Sequence, residues 1–290
     1  KDTLDEARRF LSLPRPVREV QRVAPAPQGS PEAARRLWAI SQSIAGTLAE
    51  AYLRSRGLTD PRNLGALRFH PRCYYRADDE AATETWPALI ASVRDLDGTL
   101  TGVHRTWLDP ATRDKAPVAT QRKAMGDLLG HAVRFGTALD VMAAGEGIET
   151  MLSLRQVMSD LPAAAALSAN HLAALLLPTT LRRLYVARDD DPAGHRATAQ
   201  LTERAEAAGI EALTLTPSLG DFNEDLRTLG AGALAAALRV QLVPEDVDRF
   251  LAAFIAAGDR ERAGGSASPV PGGSVAAGSG RRGRAPPTAF

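Results

Sequence analysis

From residue 139 onward the hydrophobic positions fall into runs whose period switches back and forth. Residues 139–145, 163–168, 183–188 and 210–216 are short apolar runs of strand length. Between them, residues 149–160, 170–177 and 193–209 read as helices, and Gly209 closes the last. Four strands separated by helices predict a parallel sheet with right-handed crossovers. Residues 231–259 continue as Ala-rich helix. Residues 262–290 hold Gly, Ser, Pro, Ala and Arg without apolar period and are expected to stay disordered.

Upstream the pattern is different. Residues 1–13 read as a short amphipathic helix. Pro14, Pro16, Pro25, Pro27 and Pro31 then mark an extended linker. Residues 31–56 read as two helices ending at Gly57. From Leu64 to about Phe135 the sequence turns strand-like, with two runs around Asp97-Gly98, a pair that favours the positive φ of a hairpin turn. Arg94, His104 and Arg105 lie on that hairpin. Arg113, Lys115, Arg122 and Lys123 follow in a stretch that reads as loop. The expected organisation is therefore residues 1–31 as helix and linker, 32–136 as an α+β subdomain and 137–230 as the α/β unit. Residues 231–260 follow as helices and 261–290 as a tail.

Composition narrows the picture. A hydrophobic content of 44% suffices for a large core, and a net charge of +1 does not by itself announce a nucleic-acid binder. The only lysines are Lys1, Lys115 and Lys123, a bias that fits a GC-rich genome as well as it fits function. The single cysteine, Cys73, excludes an intrachain disulfide framework and a cysteine-based zinc module within this sequence, and points to a reducing, cytoplasmic setting. The most apolar stretch, 163–177, is interrupted by Ser168, Asn170 and His171 and is too short for a helical membrane span, so no membrane partner is expected. The chain starts at Lys1 rather than Met, as a piece of a longer protein would.

The candidate chemistry is acidic. In open parallel sheets functional groups gather at the carboxyl ends of the strands. Glu146 follows the first predicted strand, Asp189, Asp190 and Asp191 follow the third, and Asp221, Glu224 and Asp225 come after the fourth. Two carboxylates about 4 Å apart repel by roughly 4 kcal/mol at the effective dielectric of a protein surface, so acids converging on one crevice call for a cation. Hard oxygen donors without thiolate or imidazole pairs select Mg²⁺, or Mn²⁺ in its place. Gly147, at the strand-to-helix turn, lets a substrate approach. Gly194 opens the helix after the aspartates, where its N–H can meet an anion or be capped by Asp191. Local roles compete with this reading: Glu146 also suits a helix N-terminus, Asp191 an N-cap, and Asp221 and Asn223 a turn.

The order of these motifs, "EGIET", then "DDDPAG", then "GDFNEDL", resembles the Toprim domain of bacterial primases, type IA and II topoisomerases and some nucleases. The resemblance implies that Glu146 is the general acid/base and that Glu146, Asp189, Asp191 and, in the looser third motif, Asp221 hold metal. Asn223 stands where an acid is more usual. Residues 88–109 in turn resemble the hairpin that precedes the Toprim domain in primases. There a basic subdomain grips nucleic acid and nucleotides, which implies that role for Arg94, Arg105, Lys115 and Lys123. The arrangement looks most like the primases of plasmids, phages and integrated elements. It implies a Mg²⁺-dependent nucleotidyltransferase making RNA primers on single-stranded DNA from ribonucleoside triphosphates, with a helicase or another replication protein as a partner. A metal-dependent nuclease built on the same site, or a binding module without turnover, are the alternatives. The cysteine/histidine set of a primase zinc module and a GxxxxGK[ST] loop are both missing from this sequence.

Overall fold

A computed structural model describes residues 30–60, 64–78 and 80–265. The expected N-terminal helix and nearly all of the proline-rich linker lie outside these residues, as does the tail from 266 on. Two sheets dominate the described chain, one antiparallel with four strands and one mainly parallel with five.

The first half opens with α1 (Pro31–Ile40) and α2 (Leu48–Ser55). Ser30 caps α1 by accepting the N–H of Ala33, and Pro31 occupies the first turn, where its missing N–H costs nothing. Gly57 ends α2 at φ +77°, a conformation that favours glycine. The strands β1 (Leu67–Tyr75), β2 (Glu84–Arg94), β3 (Leu100–Trp107) and β4 (Arg122–Gly126) then pair in sequence order. The Asp97-Gly98 turn joins β2 to β3 as the sequence predicts, with Gly98 at φ +81°. β4 corrects the sequence reading, which took 122–126 as loop. Arg122 and Lys123 mask a strand whose apolar content is only Ala124 and Met125, and the ladder to β3 supplies what the pattern lacks.

Alternation divides this sheet into two faces. Leu89, Ala91 and Val93 pack towards the second half of the chain. Ile90, Val103 and Trp107 pack with Ala34 of α1. β3 and β4 pair Thr106 with Arg122, Arg105 with Lys123 and His104 with Ala124, so His104, Thr106 and Arg122 share the face that looks at the second sheet. Arg105 and Lys123 share the other.

The second sheet has the order β5-β7-β6-β8-β9, formed by β5 (Val133–Phe135), β6 (Val141–Gly145), β7 (Ala163–Ala165), β8 (Arg183–Ala187) and β9 (Glu211–Leu215). The last four are parallel and match the four predicted strands. β5, an antiparallel edge too short to show a pattern, is an addition. The helix α3 (Ile148–Val157) lies on the face built by Val141 and Ala143. On the opposite face, α4 (Ala169–Ala173) and α5 (Pro192–Ala207) cover Met142, Ala144 and Val186. The sheet is thus buried on both sides, which explains why its strands read as unbroken apolar runs. The described chain is a mixed α/β protein in which an antiparallel sheet precedes a helix-flanked, mainly parallel one.

Beyond β9 come α6 (Phe222–Leu229), α7 (Ala231–Arg239), the short α8 (Pro244–Asp246), a π-turn over Val247–Leu251 and α9 (Ala252–Gly265). α9 runs a few residues into the segment expected as tail, because no glycine or proline interrupts it between Gly258 and Gly264. No helix among the described residues is long and apolar enough to cross a membrane.

Candidate active site between the two sheets

The chain runs from β6 outwards to β7, then returns across β6 to begin β8. The crevice above the carboxyl ends of β6 and β8 is therefore the point where strand order reverses, the place where doubly wound sheets bind ligands. Glu146 follows β6 directly and Asp189 follows β8 by two residues. Both line one cavity of about 100 Å³, together with Gly147, Ile148, Glu149, Leu167, His104 and Arg122. The parallel sheet supplies its acids and the antiparallel sheet its His104 and Arg122.

The carboxylates repel one another. Burial, then Glu146, Asp221 and Asp191, push the Asp189 carboxyl up to about 7, against a smaller opposing pull from Arg122. Burial and Asp191 also raise Glu146, partly offset by the backbone N–H of Ala169. Asp189 Oδ1 is buried and has no hydrogen-bond partner. A buried carboxylate oxygen left unpaired among three other acids is costly, and an oxygen-seeking cation would satisfy it.

Asp191 and Asp221 each begin a helix. Asp191 Oδ1 accepts the N–H groups of Ala193 (2.8 Å) and Gly194 (2.7 Å), and Asp221 Oδ1 accepts the N–H of Glu224 (2.7 Å). The N–H of Gly194 is therefore engaged by the cap. Gly194 is needed for a second reason: a Cβ there would stand 2.6 Å from the carbonyl oxygen of Asp189. Gly147 lies in the cavity wall, where a Cβ would come 2.9 Å from Thr150 Oγ1. Asp190 turns outward to His195 (3.1 Å), both exposed. In the third motif Asn223 donates to the Arg56 carbonyl (2.9 Å) and to Ser153 Oγ (3.0 Å), while Asp225 accepts the N–H groups of Ser218 and Leu219. Both are buried, and their bonds fix the loop that presents Asp221.

A metal fits this donor set in one specific way. No three His, Cys, Asp or Glu side chains among the described residues form a ready cage. Mg²⁺ does not need one, since it commonly keeps several waters and takes one or two carboxylates plus substrate phosphate. Oxygen donors around the orphaned Asp189 Oδ1 suit that habit.

The basic residues singled out in the sequence separate. Lys115 reaches the site, its Nζ 4.0 Å from Glu149 Oε1. Arg105 stacks on Trp107, 5.0 Å from the ring centroid, and it lies with Lys123 on the opposite face of the sheet. Arg94 donates to the Gly98 carbonyl (2.6 Å) and lines a different cavity, beside Arg134.

Four residues enter to which the sequence reading gives no site role: Tyr52, His104, Arg122 and Glu149. Glu149 is 8% exposed. Burial alone would raise its carboxyl, but Lys115, the Tyr52 hydroxyl and Arg122 together hold it below the usual range. His104 is buried with Nδ1 unpartnered, and burial lowers it to about 4, so it is a neutral group at physiological pH. Alternation of β3 and β4 would have put His104 and Arg122 on one face, had β4 been recognised.

The sequence matches two family descriptions: a domain of unknown function (DUF7146) over residues 28–135 and the Toprim domain over residues 141–232. No curated protein matches it. Among solved structures, a DNA primase domain from Pseudomonas aeruginosa superposes with a TM-score of 0.52 at 17% identity, covering 72% of this chain and 78% of that one. The zinc-binding and RNA polymerase domains of Aquifex aeolicus primase give a TM-score of 0.50 at 16% identity, covering 73% of this chain and 60% of that one, so the match spans less than two thirds of the Aquifex chain. Residues 141–232 match the Toprim domain, and the chain is primase-like in fold.

Proposed function

We propose that this protein is a divalent-metal-dependent nucleotidyltransferase of primase type, joining ribonucleotides on a single-stranded DNA template. One observation carries the reading: Glu146 and Asp189 share a single cavity with Arg122 and His104 at the switch point of a Toprim sheet. Such a crevice is bipolar. Its acids suit a cation, and its Arg122, with Lys115 close behind Glu149, suits the phosphates that accompany one.

Asp189, with Asp191 and Asp221 beside it and Glu146 opposite, would hold Mg²⁺ or Mn²⁺. A bound ion would supply charge neutralisation on the phosphates and a lower pKa for the attacking hydroxyl. The protein's own groups do the rest. Glu146, whose proton affinity is raised, accepts a proton from the attacking 3′-hydroxyl as that hydroxyl's oxygen bonds the α-phosphorus of the ribonucleoside triphosphate and the α–β phosphoanhydride breaks, releasing pyrophosphate. Arg122 and Lys115 donate to phosphate oxygens from the opposite wall. His104, being neutral, contributes a hydrogen bond without adding charge. Arg94, Arg105 and Lys123 lie away from this cavity, so we propose for them contacts to template outside the reacting centre. We carry over, from the motif resemblance alone, a setting in the cytoplasm of a bacterium and in the replication of a plasmid, phage or integrated element, with a helicase as a partner.

The test is incubation of the full chain with single-stranded DNA, labelled ribonucleoside triphosphates and Mg²⁺. The expected result is labelled oligonucleotides that vanish with chelator and with Glu146→Gln or Asp189→Asn. Equal product from those variants would refute the assignment. Cleavage of DNA without added nucleotides would move the reading to a nuclease using the same carboxylates.

A further inference from the structure

Glu149 sits where a carboxylate needs a reason. It occupies the first turn of α3, three residues after Glu146, and lines the same cavity, but its own surroundings are cationic. The Tyr52 hydroxyl, from α2, donates to Oε1 at 2.5 Å. Lys115 Nζ, from the loop after β3, stands 4.0 Å from the same oxygen, and Arg122, from β4, stands 4.0 Å from Oε2. Tyr52 is fully buried, and the Lys115 side chain is 17% exposed. The Arg122 side chain is 49% exposed, so much of its guanidinium is free to meet a ligand. Arg122 also acts on Asp189 across the cavity. One buried carboxylate thus ties three elements of the N-terminal half to the first turn of the helix that follows Glu146.

We propose that Glu149 is a positioning residue: it gathers Lys115 and Arg122 onto the Toprim crevice and aims them at the triphosphate of an incoming nucleotide. The inference rests on the nucleotidyltransferase reading for its ligand but not for its geometry. Two cations held apart by a shared anion keep a fixed spacing, whereas left alone they would repel each other into solvent. Tyr52 removes the remaining freedom by pinning one oxygen. An arginine fixed in this way loses less conformational freedom when it binds a phosphate.

Bare charge counting and positioning predict opposite signs. Removing Glu149's charge makes the wall more positive, which by itself strengthens anion binding. If Glu149 orients the cations, the same change weakens it. The measurement is calorimetric binding of inorganic triphosphate with Mg²⁺ to the full chain, alongside its melting temperature. Glu149→Gln keeps the shape and a carbonyl oxygen for Tyr52, so the fold should hold; triphosphate affinity is expected to fall about fivefold to tenfold, as a loss of charge-assisted contacts would cause. Arg122→Gln should weaken binding similarly, and the double variant should add little, since both changes remove one arrangement. Unchanged or tighter binding by Glu149→Gln overturns the proposal, as does a wild-type protein that binds no triphosphate. Should Glu149→Gln melt too low to measure, Tyr52→Phe replaces it: the charge stays, the pin goes, and a loss of about twofold is expected, with no loss counting against the idea. Triphosphate binding without primer synthesis would sink the nucleotidyltransferase reading and leave this one standing; primer synthesis with unaltered binding by Glu149→Gln would do the reverse.

Discussion

The two ends of the parallel sheet use the same residue types for opposite purposes. At the amino ends of the strands every prominent acid is matched. Asp246 takes Arg183 (2.9 Å) and the Tyr185 hydroxyl (2.7 Å), Glu211 takes Arg183 (2.7 Å), and Asp140 takes both arms of Arg249 (3.0 and 2.9 Å). At the carboxyl ends the charges of Glu146, Asp221 and Asp191 all bear on Asp189, whose Oδ1 has no partner. The chemical consequence is a split in proton affinity. The hydrogen bond from Arg249 holds Asp140 below the usual range, while burial and neighbouring acids raise Glu146 and Asp189. Matched acids hold the C-terminal helices to the sheet. Unmatched acids are tolerated only where something else completes them, and strongly perturbed groups in a cleft are where function is to be sought.

The largest expected effect separates the two ends by turnover. Glu146→Gln should lower Mg²⁺-dependent ribonucleotide incorporation by about 10²- to 10⁴-fold, the range of lost general acid–base assistance, and Asp189→Asn should do comparable damage. Asp140→Asn, at the other end, should leave turnover within about twofold of wild type, since surface ion pairs contribute little. A large loss from Asp140→Asn would erase the contrast.

Stability should move the other way. Asp246 is 2% exposed and holds a partly buried arginine and a buried tyrosine, so Asp246→Ala should cost about 3 kcal/mol, a fall of several degrees in melting temperature for a chain of this size. Asp189→Asn should instead raise the melting temperature of metal-free protein by a degree or more, a gain on the order of 1 kcal/mol after allowance for its partial exposure. A matched acid stabilises; an unmatched one is a burden until a cation arrives. If both variants destabilised alike, Asp189 would have a partner of its own.

A titration sharpens the same contrast. Asp189 binds its proton more tightly in the folded state, at about 7, than the usual 3.8 of an unfolded chain. Its stabilising contribution is therefore complete below the usual carboxylate range and lost as pH rises towards about 7. Metal-free protein should melt lower at pH 8 than at pH 6. Mg²⁺ competes with that proton, so it should raise the melting temperature more at pH 8 than at pH 6. An Mg²⁺ effect of equal size at both pH values, or one surviving Asp189→Asn unchanged, would remove Asp189 from the site.

Much of this was legible in the sequence. The parallel strands announced themselves because a sheet covered on both faces leaves continuous apolar runs, and Glu146 and Asp189 could be placed at their ends by counting. The Asp97-Gly98 hairpin was equally plain, because few dipeptides accept its turn. What stayed hidden lies where pairing overrides pattern. β4 has no apolar alternation of its own, so nothing in the pattern favours Arg122 over Lys123, the residue singled out for binding; the ladder to β3 turns Arg122 towards the carboxylates and Lys123 away. Glu149 was hidden differently. A glutamate in a helix's first turn has an ordinary local explanation, and its partners Tyr52, Lys115 and Arg122 are remote in sequence. Composition and period report on neighbours along the chain, whereas this network exists only after two sheets have met.

The smallest effect concerns Asp191, which performs a local task and is proposed for a remote one. Its Oδ1 caps α5 through two N–H groups, which leaves Oδ2 for a cation. The two tasks need different chemistry: capping needs an acceptor oxygen, and holding a cation needs charge. Asparagine caps about as well as aspartate, so Asp191→Asn should change stability by only a few tenths of a kcal/mol, whereas Asp191→Ala should cost about 1 kcal/mol. If Asp191 serves the cation, Asn and Ala should weaken the Mg²⁺-induced rise in melting temperature to the same degree, although only one of them harms the helix. If the rise shrinks with Ala alone, Asp191 is a cap and nothing more, and the unmatched end of the sheet relies on Glu146, Asp189 and Asp221.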